Sequence, residues 1–175
     1  CESFEDDVVQ AALFHGTASS EIGINRMTGI QEAFTAGLEE CGKSVEIVDE
    51  VFANFNREFA FDFAQRVATA HPDLDIIFGA NSNTALGIME GLRITGRLDE
   101  VDVTGIGGQL EELAGICRGE ILTAGVRNPR GQGQAAGEVI IGHFEGEPVE
   151  EINYAPQTTV SNCEEIFAFY PTQML

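Results

Sequence analysis

The sequence predicts an α/β protein: a three-layer, Rossmann-like parallel sheet with helices on both faces. Three observations carry this. Short apolar runs alternate with segments of helical spacing from Val8 to about Gly146. Glycines stand where the helical segments stop, at Gly42, Gly96 and Gly119, as expected where a chain leaves a helix in the left-handed conformation. The first apolar run lacks alternation, which marks a strand buried on both faces. Repeated strand–helix alternation needs right-handed crossovers, and these produce a parallel sheet.

The first run, Val8-Val9-Gln10-Ala11-Ala12-Leu13-Phe14, ends at His15-Gly16. Met27, Ile30, Phe34, Leu38 and Cys41 follow at intervals of 3, 4, 4 and 3, one face of a helix closed by Gly42. Val45, Ile47 and Val51 alternate, predicting a strand over Val45–Val48. Phe59, Phe63 and Val67 lie four apart on a second helix that ends near His71-Pro72, where His71 reads as a cap. A third strand is expected over Leu74–Phe78, then a helix through Ala85, Met89 and Leu92. A fourth strand, Val101–Ile106, closes at Gly107-Gly108; a short helix through Leu110, Leu113 and Cys117 leads to a fifth strand, Ile121–Val126. Asn128-Pro129 opens another helix, with asparagine as cap and proline in the first turn. Beyond Gly146-Glu147-Pro148 the alternation stops. Val149–Ile152 and Thr158–Ser161 have strand character, and the apolar, aromatic tail from Ile166 to Leu175 needs a surface to pack on.

The 175 residues carry 9 Lys+Arg against 29 Asp+Glu, a net charge of -20. Phosphate neutralisation needs a basic face, so nucleic acid is excluded as a partner, and docking on anionic lipid is disfavoured. No apolar stretch is long enough for a membrane span, so direct membrane insertion is not expected. Cys1 to Asp7 is acidic, unlike a secretory leader. The four cysteines, Cys1, Cys41, Cys117 and Cys163, are widely spaced without a C-x-x-C pair, so no metal site is expected. Free thiols and a disulfide both remain open, and the spacing does not choose among the three full pairings.

In a parallel sheet, ligands sit beyond the carboxyl ends of the strands. That edge holds Arg26, Phe55, Asn81 and Arg127. Arginine forks onto oxygen-rich groups, asparagine donates and accepts, and phenylalanine covers an apolar ring face. His15 is the only histidine near the same edge. Gly105-Ile106-Gly107-Gly108 resembles a dinucleotide turn only in part, because Leu110 stands where the third glycine belongs. No nucleophile–base or paired-carboxylate motif stands out. Binding without catalysis, and without a cofactor, is the expectation.

Several segments carry a resemblance to a known family. They are Gly16-Thr17, Asn25-Arg26-Met27-Thr28-Gly29-Ile30, the run from His71 through Asp73-Leu74-Asp75-Ile76-Ile77-Phe78-Gly79-Ala80 to Asn81, Thr84-Ala85-Leu86-Gly87, Val103-Thr104-Gly105, Gly119-Glu120-Ile121-Leu122-Thr123-Ala124 and Asn128-Pro129. In this order and spacing the chain resembles the C-terminal lobe of type I periplasmic binding proteins, the sugar-binding group that shares its fold with LacI-type regulators. The resemblance implies that Arg26 contacts the ligand after the first strand, that Phe55 flanks a sugar ring and that Asn81 binds hydroxyls. It places Arg127 where ribose binders carry glutamine. Two positions depart from the pattern. Ser82 follows Asn81 where the family has aspartate, and Gly107 occupies the place of an aspartate that accepts sugar hydroxyls. Losing that acceptor beside Arg127 moves this wall toward donors, which suits an anionic or heavily oxygenated ligand.

Family members have two lobes, and this chain has the length of one. Residues 1–127 are expected to form the C-terminal ligand-binding lobe. Residues 128–175 correspond to segments that in the family return to the N-terminal lobe and hinge, so a fragment is expected. The implied function is an extracytoplasmic solute-binding protein, periplasmic or extracellular, that serves an ABC importer or a chemosensory receptor at the membrane and captures a small polar, sugar-like or anionic ligand. The alternative is the effector-binding core of a LacI-type transcription regulator. A Rossmann-like enzyme is disfavoured by the missing phosphate loop.

Overall fold

A computed structural model describes residues 4–150 and 157–170. Six strands form one sheet: β1 (Val8–His15), β2 (Ser44–Phe52), β3 (Ile76–Gly79), β4 (Asp102–Gly107), β5 (Thr123–Val126) and β6 (Thr158–Val160). Their order is β2-β1-β3-β4-β5-β6; the first five are mutually parallel and β6 runs antiparallel to β5. The helices are α1 (Glu21–Glu39), α2 (Arg57–Ala70), α3 (Ser82–Thr95), α4 (Leu110–Cys117), α5 (Pro129–Glu145) and α6 (Cys163–Phe169).

Five expected strands are present, with shifted ends. β2 runs to Phe52 because it pairs with β1 along its full length, across an irregularity between Ala11 and Ala12. β3 and β5 start two residues later than the apolar runs do. Leu74 and Ile121 are nonetheless buried: they pack as the chain enters the sheet, so their hydrophobicity reports burial rather than pairing. Of the expected strand Val149–Ile152, residues 149 and 150 are not in a strand and the rest lie outside the described residues, as does the tail beyond Tyr170.

The sheet separates two apolar clusters. On β1, Val9, Ala11 and Leu13 face α1 with Met27 and Leu38, together with Ile76 and Phe78. Ala12 and Phe14 face the opposite layer, where Ala60, Ala64, Leu86, Ile88, Leu92, Leu113 and Ile116 lie. This two-sided burial is the reason β1 shows no alternation. Within the second layer α2 and α3 meet closely. A Cβ on Gly87 would overlap the Arg57 carbonyl, and one on Gly91 would come within 2.7 Å of both Ala64 Cβ and the Phe61 carbonyl.

Beyond Arg127 the chain behaves in two ways. α5 buries none of its residues and leaves Ile140, Ile141 and Phe144 57%, 60% and 85% exposed. β6 and α6 pack on the sheet instead: Val160 and Ile166 are buried, and a disulfide joins Cys163 of α6 to Cys117 of α4. That bond selects the disulfide reading for these two cysteines.

Candidate functional site

The parallel order brings the carboxyl ends of β1 to β5 and the N-termini of α1 to α5 to one edge. Each N-terminus carries partial positive charge. Side chains cap four of these helices: Ser20 accepts from the Gly23 amide, Asn56 from Phe59, Asn81 from Thr84 and Asn128 from Gly131. β1 and β3 are neighbours, but their following helices lie on opposite faces of the sheet, so a crevice opens between them.

Phe55 closes one side of this crevice. The chain turns after β2 through Asn54 and Phe55, both left-handed at φ 54° and 57°. Such backbone costs roughly 1–3 kcal/mol per residue and persists only where packing holds it. Here the holding contact is the Phe55 ring seated on Gly16, where any Cβ would collide with it, and against Gly23, whose Cβ would lie 3.2 Å from it. Phe55 is partly buried against the α1-side cluster, so it joins core packing to the edge rather than choosing between them.

Arg26, in the second turn of α1, donates from Nη1 to the Ala80 carbonyl at 3.0 Å. This bond ties α1 to the turn after β3. Burial lowers the Arg26 pKa from its ordinary value, and the Arg127 charge lowers it further. Asn81 accepts from both the amide and the hydroxyl of Thr84, each at 2.8 Å, through Oδ1. Its oxygen is committed to the cap, and its amide NH2 is the part left for a ligand.

Gly107 ends β4. A Cβ there would overlap Ser82 Oγ. Ser82 is buried and donates to Glu112 Oε2 at 2.6 Å; the Gly108 amide donates to the same oxygen at 2.7 Å. Glu112 is fully buried, and its Oε1 has no hydrogen-bond partner. Burial pushes its carboxyl pKa up, against the pull of Ser82, the Gly108 and Gln109 amides and the Arg127 charge. Arg127 follows β5 and is exposed; its amide donates to the Gly107 carbonyl at 3.3 Å.

All five residues singled out in the sequence therefore lie along this edge. His15 is engaged elsewhere: its Nε2 lies 3.1 Å from Glu50 and its ring stacks on Phe52. His71 caps α2 through its backbone amide, as expected. Sequence reasoning missed Glu112 and the Ser82 hydroxyl beneath the edge. A signal was present: Glu112 stands four residues before Ile116 and next to Leu113, on the inward face of a short helix. Among the described residues no cluster of potential ligand side chains could hold a metal ion, and no helix is long and apolar enough to cross a membrane.

Residues 2–148 match the family described as periplasmic binding protein domain. A protein of Rhizobium meliloti named for rhizopine binding is 27% identical over 155 residues, 88% of this chain and 49% of its own length. The D-allose-binding periplasmic protein of Escherichia coli is 24% identical over 148 residues, 85% of this chain and 46% of its own length. Among solved structures, a periplasmic ribose ABC transporter protein from Conexibacter woesei superposes with a TM-score of 0.82 at 19% identity, over 97% of this chain and 55% of that one. The chain thus spans about half the length of the curated relatives it matches. With an edge of this geometry on this fold, the chain belongs to the periplasmic binding protein family, as a lobe of the type I group.

Proposed function

We propose that this chain is one wall of an extracytoplasmic solute-binding protein that captures a small hydroxylated ligand and passes it to a membrane importer or receptor. The observation that carries this reading is the convergence of Arg26, Phe55, Asn81, Gly107 and Arg127 on one sheet edge. Phe55 supplies an apolar ring face, and Arg26, Asn81 and Arg127 supply donors. A ring bearing many hydroxyls uses both. The relatives named for rhizopine and D-allose fit the same chemistry. Binding is followed by closure of a second lobe over the ligand, because a single open wall leaves it in water. The apolar side chains that α5 leaves exposed are what such a second lobe would cover. No chemical step is assigned, and the wall acts by binding alone. The Cys117–Cys163 disulfide suits an oxidising compartment such as the periplasm or the cell exterior.

The test is an amide NMR titration of this chain with D-ribose, D-allose, myo-inositol and their acidic counterparts. Shifts should concentrate at Gly16, Asn81, Gly107 and Gly108. Absence of any shift with every polyol, or shifts confined to the opposite edge, overturns the reading.

A further inference from the structure

The turn that carries Phe55 is anchored at both ends. On the β1 side, the Ala53 amide donates to the His15 carbonyl at 3.1 Å, and the Phe55 ring rests on Gly16. Asn54 and Phe55 then take left-handed backbone, which persists only where its surroundings hold it. On the α2 side, two residues after Phe55, stands Arg57, the first residue of the helix. A Cβ on Gly87 of α3 would fall 2.2 Å from its carbonyl oxygen. Its guanidinium is gripped by two carboxylates at once. Nε and Nη2 donate to the two oxygens of Glu90 on α3, at 3.1 and 2.7 Å. Nη1 and Nη2 donate to the two oxygens of Glu111 on α4, at 2.7 and 2.6 Å. Two such forks fix the plane and direction of a guanidinium as well as its position.

This clamp stands where it adds little to global stability. The side chains of Arg57 and Glu90 are 33% and 35% exposed and that of Glu111 is 53% exposed, and ion pairs open to water contribute little on balance. The packing of α2 on α3 does not depend on it, because Gly87 and Gly91 already seat one helix on the other. What the clamp adds is direction at the first residue of α2, and the strained turn just before it inherits that direction. A Phe55 ring free to swing would have to be ordered when a ligand arrives, and ordering a side chain on binding costs affinity. The ion pairs of Arg93 and Arg118 differ in both respects. Each gives a single bond to Glu120, and they lie at the C-terminal ends of α3 and α4, away from the ligand edge.

We infer that Arg57 is a positioning residue for the ligand edge: clamped by Glu90 and Glu111, it holds the turn that aims the Phe55 ring. This rests on the solute-binding reading above and adds to it a residue that acts through Phe55 rather than on the ligand. The experiment compares the unaltered chain with Arg57→Lys, which keeps the charge and loses the fork, and with Glu120→Gln, which disturbs an ion pair at the far end of α3 and α4. The first readout needs no ligand. Gly16 lies against the Phe55 ring, so its Hα resonances carry the ring-current shift of that ring. In Arg57→Lys they should move toward their random-coil positions, and in Glu120→Gln they should stay in place. The melting temperature should hold within a few degrees in both variants. The second readout is an NMR titration with D-allose and with myo-inositol. Arg57→Lys should weaken binding about twofold to tenfold, the cost of ordering one side chain, and Glu120→Gln should leave it unchanged. Should Arg57→Lys fail to fold, Glu111→Gln, which withdraws the more exposed half of the clamp, is measured in its place against the same criteria. Unmoved Gly16 resonances, or an affinity equal to that of the unaltered chain, overturn the positioning role and leave polyol binding standing. An unaltered chain that binds neither polyol overturns the solute-binding reading, while the Gly16 resonances still decide whether Arg57 holds the ring.

Discussion

Gly107 shows how one residue sets the shape of the ligand edge. With no side chain there, the Ser82 hydroxyl occupies the space behind it and stays bonded to Glu112. Gly107→Ala must push Ser82 aside, and Ser82 is held by a buried carboxyl. We expect a loss of ~1–3 kcal/mol, in the range of other overpacking changes, read as a lower midpoint in urea unfolding. Glu112 makes a second prediction. Its folded pKa is raised, mainly by burial, so below the unfolded carboxyl range folded and unfolded states are protonated alike. Between the unfolded and folded values the folded state holds more protons, and stability falls as pH rises. Glu112→Gln removes this titration. Relative to that variant, the wild-type protein should lose stability as pH rises above the ordinary carboxyl range, a trend that denaturation curves at increasing pH would reveal. A gap that is constant with pH would show that Glu112 titrates alike in both states.

Among the elements, the contact of α2 with α3 has the tightest tolerance. Gly87 and Gly91 lie on one face of α3, four residues apart, over Ala60 and Ala64 of α2. The obstacles to a Cβ include backbone carbonyls of α2, which cannot move without moving the helix. Gly87→Ala and Gly91→Ala should each destabilise by ~1–3 kcal/mol, Gly87 nearer the top of that range. Gly29, within α1, has nothing within 4 Å of its would-be Cβ. There the same substitution should stabilise by ~0.5–1 kcal/mol, because alanine loses less backbone entropy on entering a helix. Thermal melts of the three variants test both signs at once. The α2–α3 crossing also matters to the site, since it holds the first turn of α3, with Asn81 and Ser82, at the edge.

At the scale of the whole molecule, the Cys117–Cys163 disulfide closes a chain segment with a sequence separation of 46. It anchors a weakly held end: β6 is a three-residue edge strand and α6 buries Ile166 alone. Reduction should cost roughly 2–4 kcal/mol, largely through the freedom returned to the unfolded chain. Hydrogen exchange should quicken first in β6 and α6, while β1 and β3, buried on both faces, stay protected. Uniform loss of protection would instead mean that the end folds as one unit with the sheet.

The fold class, the five parallel strands with shifted ends, the strand character of Thr158–Ser161 where β6 forms, the asparagine and glycine helix boundaries, and the edge on which Arg26, Phe55, Asn81, Gly107 and Arg127 fall were legible in the sequence. These follow from local causes: hydrophobic period reports burial, caps and left-handed glycines report helix ends, and parallel topology assigns an edge to whatever follows a strand. Tertiary structure decided the rest. The choice of Cys117 and Cys163 as a pair depends on α4 and α6 meeting in space. The left-handed turn at Phe55 is held by Gly16, which is 39 residues away in the chain. The role of Glu112 depends on Ser82 from another helix. Each is a relation between residues distant in sequence, and period, cap and composition carry no record of such pairings.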